Sequence, residues 1–244
     1  MTLVMRKVFL AFMAGVMGWA ACAGSAQAAL VLTGTRVVYP SDSKDVTIRA
    51  RNDGFEPMLA QVWIDDGAVG VAPANVLVPF TVSPVLTRID PNSSAVIRLV
   101  YTKSPLPDDR ETLFYLNVLQ VPPSSDSTSS ASFSFRTRIK LFFRPASLRD
   151  GIVDAPAQLE WKVVQSGAGS ALEVKNPTPY HVSMSSIESV ANGRTTSLGG
   201  GMIVPFGVER FKLPKGAAAE PGKMRVHYEV INDYGGRHML ERAL

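Results

Sequence analysis

Hydrophobic and polar residues alternate with a period of two along much of this chain, and residues 131–145 show it best. One set of positions there is Ala131, Phe133, Phe135, Thr137 and Ile139, and the other is Ser132, Ser134, Arg136, Arg138 and Lys140. Successive side chains of a strand point to opposite faces of the sheet. The pattern therefore predicts a strand with one apolar face and one basic face.

Most other periodic segments also predict strands. Alternation recurs at residues 45–51, 158–163 and 223–231, whereas residues 59–64, 95–101 and 113–119 are more continuously apolar. Continuous apolar runs are typical of strands that are buried on both faces. Turn-forming sequences separate these segments: Asn52-Asp53-Gly54, Asp65-Asp66-Gly67, Asp90-Pro91-Asn92 and Asn192-Gly193. Since no stretch of ten or more residues has a helical period, the chain is predicted to be all-β and built from β-sandwiches.

Two segments with little periodicity divide the chain. Residues 145–157 are rich in turn formers, which predicts a boundary between a domain at 29–148 and a second domain at 149–244. Each has the size of an immunoglobulin-like sandwich. Residues 122–130 are a low-complexity Pro and Ser run, which predicts a loop just before the alternating strand. That arrangement suits a sheet edge that accepts a partner strand.

The N-terminus has the pattern of a signal peptide. Arg6 and Lys7 precede an apolar run at residues 8–21, and Ala26-Gln27-Ala28 fits a cleavage site, so residues 1–28 are predicted to be removed after export. A lipoprotein reading would use Cys22, but Trp19 stands where a branched aliphatic residue is usual. No later segment is predicted to span a membrane. Because Cys22 is the only cysteine, the mature chain has neither disulfide nor thiol chemistry.

Composition and motifs give little support to catalysis. The formal net charge of +4 falls further when the leader is removed, so it does not favour binding to nucleic acid or anionic membranes. The three histidines, His181, His227 and His238, lack metal-ligand spacing. No nucleophile elbow, phosphate-binding loop or dinucleotide fingerprint occurs. We therefore expect a protein without enzyme activity, metal or cofactor, and a periplasmic hydrolase is disfavoured.

Six segments in order carry a resemblance to a known family. They are residues 35–40 (TRVVYP), 79–91 (PFTVSPVLTRIDP), 109–115 (DRETLFY), 139–145 (IKLFFRP), 176–180 (NPTPY) and 231–236 (INDYGG). Together they resemble the periplasmic chaperones of chaperone–usher pilus assembly over essentially the whole mature chain. The resemblance implies two immunoglobulin-like domains in a boomerang arrangement, with pilin subunits and an outer-membrane usher as partners in the periplasm.

The same resemblance implies a site for the subunit. Arg36 and Lys140 match the two basic residues that hold the C-terminal carboxylate of a pilin. Spacing alone favours a different interpretation, in which Arg36 is an edge-strand charge and Lys140 is the solvated end of the basic row, and the surrounding family motifs reverse that preference. The donated strand is implied to use Ala131, Phe133 and Phe135, and Ala131 is smaller than the aliphatic residue usual there.

Two further expectations come from the resemblance. Glu111, Arg144 and Asp233 match a charge network between the two domains. The small number of residues from Asn117 to Lys140 resembles the short-loop subclass that serves rod-type pili.

The alternative function, from another class, is an extracytoplasmic adhesion or structural module, including a fibre subunit, although two domains without cysteine count against it. The sequence leaves open which subunits and which usher surface are involved, and whether the free protein self-associates.

Overall fold

The computed structural model describes residues 30–68, 76–123, 133–166, 169–214 and 223–244. The predicted signal peptide at residues 1–28 and the donor-strand residue Ala131 lie outside the described residues. Across the described ranges the regular structure is strand, apart from three short 3-10 helices at Ala146–Leu148, Gly151–Val153 and Ala155–Gln158. No helix in this part of the chain is long and apolar enough to cross a membrane.

The first domain is a sandwich of two sheets. Its strands are β1 (Leu30–Leu32), β2 (Arg36–Pro40), β3 (Val46–Asn52), β4 (Met58–Asp65), β5 (Phe80–Ser83), β6 (Leu86–Ile89), β7 (Ser94–Tyr101), β8 (Thr112–Val121) and β9 (Phe135–Arg144). One sheet has the order β1-β3-β7-β5, and the other has the order β2-β9-β8-β4-β6. Neighbours are antiparallel except β2 and β9, which are parallel.

The second domain is a separate sandwich. Its strands are β10 (Glu160–Ser166), β11 (Gly169–Lys175), β12 (Val182–Ala191), β13 (Arg194–Ile203), β14 (Val208–Lys212), β15 (Met224–Ile231) and β16 (Arg237–Ala243). The sheet orders are β10-β11-β14 and β13-β12-β15-β16. The prediction of an all-β chain with two immunoglobulin-like domains is confirmed.

Each sandwich has its own hydrophobic core, formed by the inward residues of its alternating strands. In the first domain, the Tyr39 ring packs edge-on against Phe80 at 5.3 Å between centroids and is fully buried. Its hydroxyl accepts a hydrogen bond from the Tyr101 backbone N–H at 3.1 Å. In the second domain, Trp161 packs against Tyr228 at 5.0 Å. Two independent cores explain why the domains form without a disulfide.

Strand β9 has different neighbours along its length. On one side it pairs with β8 from Phe135 to Phe143. On the other side β2 pairs only with the segment from Lys140 to Arg144. The segment from Phe135 to Ile139 therefore has no paired strand on that side among the described residues.

The sequence pattern placed the start of this strand too early. Phe133 and Ser134 precede β9 rather than lying in it, since Phe135 is its first paired residue and faces Gln120 of β8. Beyond Val121, β8 is followed by Pro122 and Pro123, which have no N–H to donate to a ladder. Alternation in the sequence is thus not sufficient for strand pairing.

Candidate functional site

Two cations from different strands lie side by side. The parallel register of β2 and β9 sets Arg36 opposite Lys140. Neighbouring residues of both strands enter the core, namely Val37, Tyr39, Ile139 and Leu141. Because side chains alternate along a strand, Arg36 and Lys140 project from the other face, and their hydrogen bonds to residues of the second domain show that they face it.

Both cations contact the second domain through neutral groups. Arg36 donates a hydrogen bond from Nη1 to the backbone carbonyl of Ile231 at 2.9 Å. Lys140 donates from Nζ to the Ser183 hydroxyl at 3.0 Å. The Arg36 guanidinium also lies over the Phe142 ring, 5.8 Å from its centroid. Backbone and hydroxyl acceptors position these cations without neutralising them.

The pair is electrostatically unsatisfied. Burial lowers the pKa of the Lys140 ammonium, and the adjacent charge of Arg36 lowers it further. Burial also lowers the pKa of the Arg36 guanidinium, against the attraction of Asp233 and Glu111. Within the described ranges neither cation forms a salt bridge, and the buried Nε of Arg36 has no hydrogen-bond partner. The pair therefore has charge and donor capacity available for an anion.

A second group of charges lies beside it and is fully paired. Arg144 donates from Nε to Glu111 Oε1 at 2.7 Å and from both terminal nitrogens to the Asp233 carboxylate at 2.7 and 2.9 Å. Arg144 and Glu111 belong to the first domain and Asp233 follows β15 of the second. Arg144 and Glu111 are buried, at 6% and 3% exposure. The structure thus brings together all three residues of the expected network.

Sequence reasoning missed one member of this network. The backbone N–H of His181 donates to Glu111 Oε2 at 2.8 Å, and its ring Nδ1 lies 3.2 Å from the same oxygen. The ring also packs against Phe142 at 5.4 Å between centroids. His181 therefore contacts a carboxylate of the network, and no group of residues able to hold a metal ion occurs in the part that the structure describes. The feature of the sequence that could have indicated this role is the position of His181 directly after the Asn-Pro-Thr-Pro-Tyr segment.

The expected donor residues lie at the open end of β9. Phe133 and Phe135 are exposed, at 69% and 60%. Phe135 is on the same face of the strand as the buried Ile139. It therefore continues the apolar, core-facing side of β9 into the part of the strand that is exposed to solvent. Apolar side chains next to an unpaired strand edge are an accessible template for another chain.

The basic row on β9 is less free than its sequence indicates. The Arg138 guanidinium stacks on Tyr115, 3.9 Å from the ring centroid, and pairs with the buried Asp65 carboxylate at 2.5 Å. Asn117 donates to the same carboxylate at 2.7 Å. Arg136 lies over the Trp63 ring at 5.9 Å. Arg138 thus ties β9 to β8 and β4, and its charge is already neutralised.

A cleft of about 680 Å³ adjoins the cation pair. Arg36 and its acceptor residue Ile231 line it, as does Ser183, the partner of Lys140. The remaining walls come from both domains and from the 3-10 segment between them. Arg36 is therefore part of the wall of a concave site, and Lys140 reaches that wall through its hydrogen bond to Ser183.

Comparison with known proteins identifies the family of this chain. Residues 29–149 match the family model described as "Pili and flagellar-assembly chaperone, PapD N-terminal domain", and residues 154–242 match "Pili assembly chaperone PapD, C-terminal domain". The chain is 42% identical over 222 residues to the probable fimbrial chaperone YadV of Escherichia coli, covering 88% of this chain and 90% of the relative. It is 38% identical over 232 residues to the chaperone protein FimB/FhaD of Bordetella pertussis, covering 92% of each.

Solved structures extend the comparison. The Pseudomonas aeruginosa CupB2 chaperone is 46% identical, with a TM-score of 0.77 over 88% of this chain and 100% of that one. The Salmonella enterica SafB chaperone, solved in complex with the SafA pilin, is 26% identical, with a TM-score of 0.73 over 91% of this chain and 99% of that one. Both domains and nearly the full length of the relatives are matched, and the chain belongs to the family of pilus-assembly chaperones.

Proposed function

We propose that this chain is a periplasmic chaperone of the short-loop subclass that captures pilin subunits and delivers them to an outer-membrane usher. The open edge of β9 complements the subunit, while Arg36 and Lys140 bind its C-terminal carboxylate. Family membership supports the assembly role, and the SafB–SafA complex is a precedent for binding of a pilin by a related chain. No nucleotide or other cofactor takes part, so the free energy comes from subunit folding and strand exchange.

One observation carries the proposal: two partly desolvated cations without a carboxylate partner lie where the open edge of β9 ends. An unpaired buried charge is unfavourable unless a ligand neutralises it. A carboxylate would accept charge-assisted hydrogen bonds from both groups, each contributing about 1.5–3 kcal/mol. Lysine and arginine together also fix where a bound chain must terminate.

The geometry also gives the direction of the bound strand. A strand lying against Phe135 to Ile139 occupies the line that β2 continues from Arg36 onward. If its carboxylate is held at Arg36 and Lys140, its C-terminus points toward the start of β2. The strand then runs parallel to β9, in the same direction as β2. The subunit strand and β2 would meet end to end along one edge.

The apolar side chains on the open segment supply the second part of the affinity. Burying an exposed phenylalanine fully contributes about 1.5–3 kcal/mol, so Phe133 and Phe135 together rival the carboxylate clamp. Backbone hydrogen bonds along the edge do not depend on the side chains of the bound strand, which allows different subunits to be accepted. Ala131 is proposed to contact the subunit beyond Phe133 and, as a small residue, to contribute less.

The paired charges have a different role in this proposal. Glu111, Arg144 and Asp233 link the domain at 29–148 to the domain at 149–244 and hold the angle between them. Desolvation offsets most of the attraction within a buried ion network, so its main effect is on geometry. A fixed angle keeps Ser183 and Ile231 next to the two clamp residues.

A periplasmic pull-down with co-expressed candidate pilins tests the proposal. Wild type, Arg36→Ala, Lys140→Ala and the control Arg136→Ala are compared after circular dichroism confirms that all four fold. Arg136 is an exposed cation on the same face of β9, so its removal changes the net charge equally without touching the clamp. We expect wild type and the control to retain a stoichiometric pilin, and both clamp variants to lose it.

Two results would count against the proposal. If all four proteins retain the same partner, the subunit is held elsewhere and the assignment of Arg36 and Lys140 is wrong. If wild type captures no pilin, an adhesion or structural module becomes the better interpretation. Gel filtration of the free protein, run alongside, shows whether its open edge is covered by a second copy.

A further inference from the structure

The cleft beside the clamp is much larger than a carboxylate requires. Its volume is about 680 Å³, within the range of about 300–1,000 Å³ that is typical of sites for small ligands. Arg36 forms part of its wall, and so does Phe142, whose ring lies against the Arg36 guanidinium. The part of the cleft next to Arg36 is therefore lined by an apolar surface.

The interior of the cleft is predominantly apolar. Phe142, Val182 and Val230 line it and are buried, with 3%, 2% and 6% exposure. Ile152 and Leu240 are half-buried and complete the apolar surface from the linking segment and from β16. A half-buried aliphatic side chain loses further contact with water when a ligand covers it, which favours an apolar occupant.

The charged groups of the cleft select against an acidic occupant. Arg144 and Glu111 are already paired with each other, and Arg149 is paired with Asp42. Asp150 and Asp154 are exposed carboxylates on the cleft wall. A negatively charged side chain would meet these two carboxylates, so the cationic character of the site is confined to the clamp.

We propose that this cleft is a specificity pocket for the side chain of the last residue of the bound chain, and that it prefers aromatic or large aliphatic residues. The inference rests on the proposed function, because it needs the terminal carboxylate to be held by Arg36 and Lys140. The clamp then fixes the terminal carboxyl group at the cleft wall, and the side chain of that same residue occupies the cleft. Terminal Phe and Leu fit best, Ala leaves the cleft unfilled, and Asp is repelled by Asp150 and Asp154.

A peptide series separates the clamp from the pocket. The probes are eight-residue synthetic peptides that begin with two lysines, continue with alternating Val and Ser, and end in Phe, Leu, Ala or Asp. Each peptide is made both as the free acid and as the C-terminal amide. Binding to the full mature chain is followed by NMR chemical-shift titration. Among the free acids, Phe and Leu should bind about tenfold more tightly than Ala, which corresponds to burying most of one apolar side chain. Asp should bind most weakly.

A matched pair of variants locates the pocket. Ala157→Trp introduces a large ring from an exposed position on the cleft wall, and Ala146→Trp makes the same change at an exposed position outside the lining. Both alanines lie in short 3-10 helices rather than in a core strand. We expect Ala157→Trp to reduce the preference for Phe over Ala to less than twofold, and Ala146→Trp to leave it unchanged.

The outcomes distinguish failure of the pocket from failure of the proposed function. If free acids bind more tightly than amides but the four end residues bind equally, the pocket is refuted and the clamp stands. If acids and amides bind equally, the clamp fails and the pocket fails with it. A preference for Phe that survives in Ala157→Trp would place the selective surface outside this cleft and overturn the inference.

Discussion

Lys140 and Arg144 lie on the same strand and the same face, with only Phe142 between them on that face, yet their surroundings differ sharply. Arg144 contacts two carboxylates at 2.7–2.9 Å. Lys140 contacts one hydroxyl at 3.0 Å and is repelled by Arg36. One cation completes a network within the protein, and the other has no carboxylate partner among the described residues.

The contrast follows the change in strand pairing along β9. Where β2 and β8 flank β9 on both sides, its outward charge at Arg144 links the domains. Where β2 begins, the charge at Lys140 is desolvated without a counterion. Beyond that point only β8 pairs with β9, and both Phe135 and Arg136 are exposed. The strand thus passes from fully paired to open over its length, and the clamp lies at the transition.

The largest expected effect on stability comes from breaking the ion network around Arg144. Asp233→Ala removes both hydrogen bonds to the terminal nitrogens of Arg144 and leaves a buried cation with one partner. We expect the free energy of unfolding to fall by about 3 kcal/mol, at the lower end of values for broken buried pairs because Asp233 is partly exposed. Denaturant unfolding followed by tryptophan fluorescence measures the change.

The same variant tests whether the network fixes the domain angle. Binding of a free carboxylate peptide to the clamp should be less affected than stability, since Arg36 and Lys140 stay side by side through the pairing of β2 with β9 inside the first domain. Small-angle scattering should show a broader range of domain orientations. Unchanged unfolding in Asp233→Ala would contradict the architectural role of the trio.

A smaller effect is expected at the open end of β9. Phe135→Ser removes an exposed apolar side chain, so the free protein should keep its stability within about 0.5 kcal/mol. Subunit capture should weaken by about 1.5–3 kcal/mol, or roughly 10- to 150-fold, because the subunit loses the ring it would bury. Competition binding against wild type gives the ratio.

The control for this variant lies on the opposite edge of the same sheet. Leu86 in β6 is exposed at 55%, comparable with Phe135, and Leu86→Ser removes similar apolar surface away from the proposed contact. It should leave subunit capture unchanged. Equal losses in Leu86→Ser and Phe135→Ser would mean that general surface polarity, not strand donation, determines capture.

Most of the fold could be predicted from period-two alternation. The alternation of Val46, Ile48 and Ala50 in β3, and the same pattern in β15, follow from packing one face of a strand on a core. The start of β9 could not be predicted in this way, because strand pairing depends on where β8 ends, at Val121 just before Pro122. Local alternation fixes which face is buried but not where a partner strand is present.

The site was predictable only in part, for a related reason. Arg36 and Lys140 are far apart in sequence, and alternation alone gave each an ordinary role as a surface charge. Motif resemblance made them candidates for a binding site, and the parallel register of β2 with β9 puts them side by side. His181 and Ser183 were missed because their roles arise from docking of the second domain. The pairing of Arg138 with Asp65 depends on the register of three strands, which the sequence does not specify.

The smallest of these effects, a change in the free energy of unfolding, is expected for Lys140→Met. This variant tests directly whether Lys140 and Arg144 have different roles. The substitution removes the hydrogen bond to Ser183, worth about 1 kcal/mol, and also removes an ammonium that burial and Arg36 disfavour. The two changes oppose each other, so the free energy of unfolding at pH 7.5 should stay within about 1 kcal/mol of wild type, unlike that of Asp233→Ala.

The pH dependence of this difference has a defined sign. The pKa of Lys140 is lowered in the folded state, so between that pKa and the usual 10.5 the unfolded chain binds more protons than the folded chain. Wild type should therefore gain stability relative to Lys140→Met as the pH rises from 7.5 toward 10.5, and subtracting the two curves removes the titration of other groups. A Lys140→Met variant that is several kcal/mol less stable at pH 7.5 would show that Lys140, like Arg144, serves the architecture, and the distinction between the two cations of β9 would be lost.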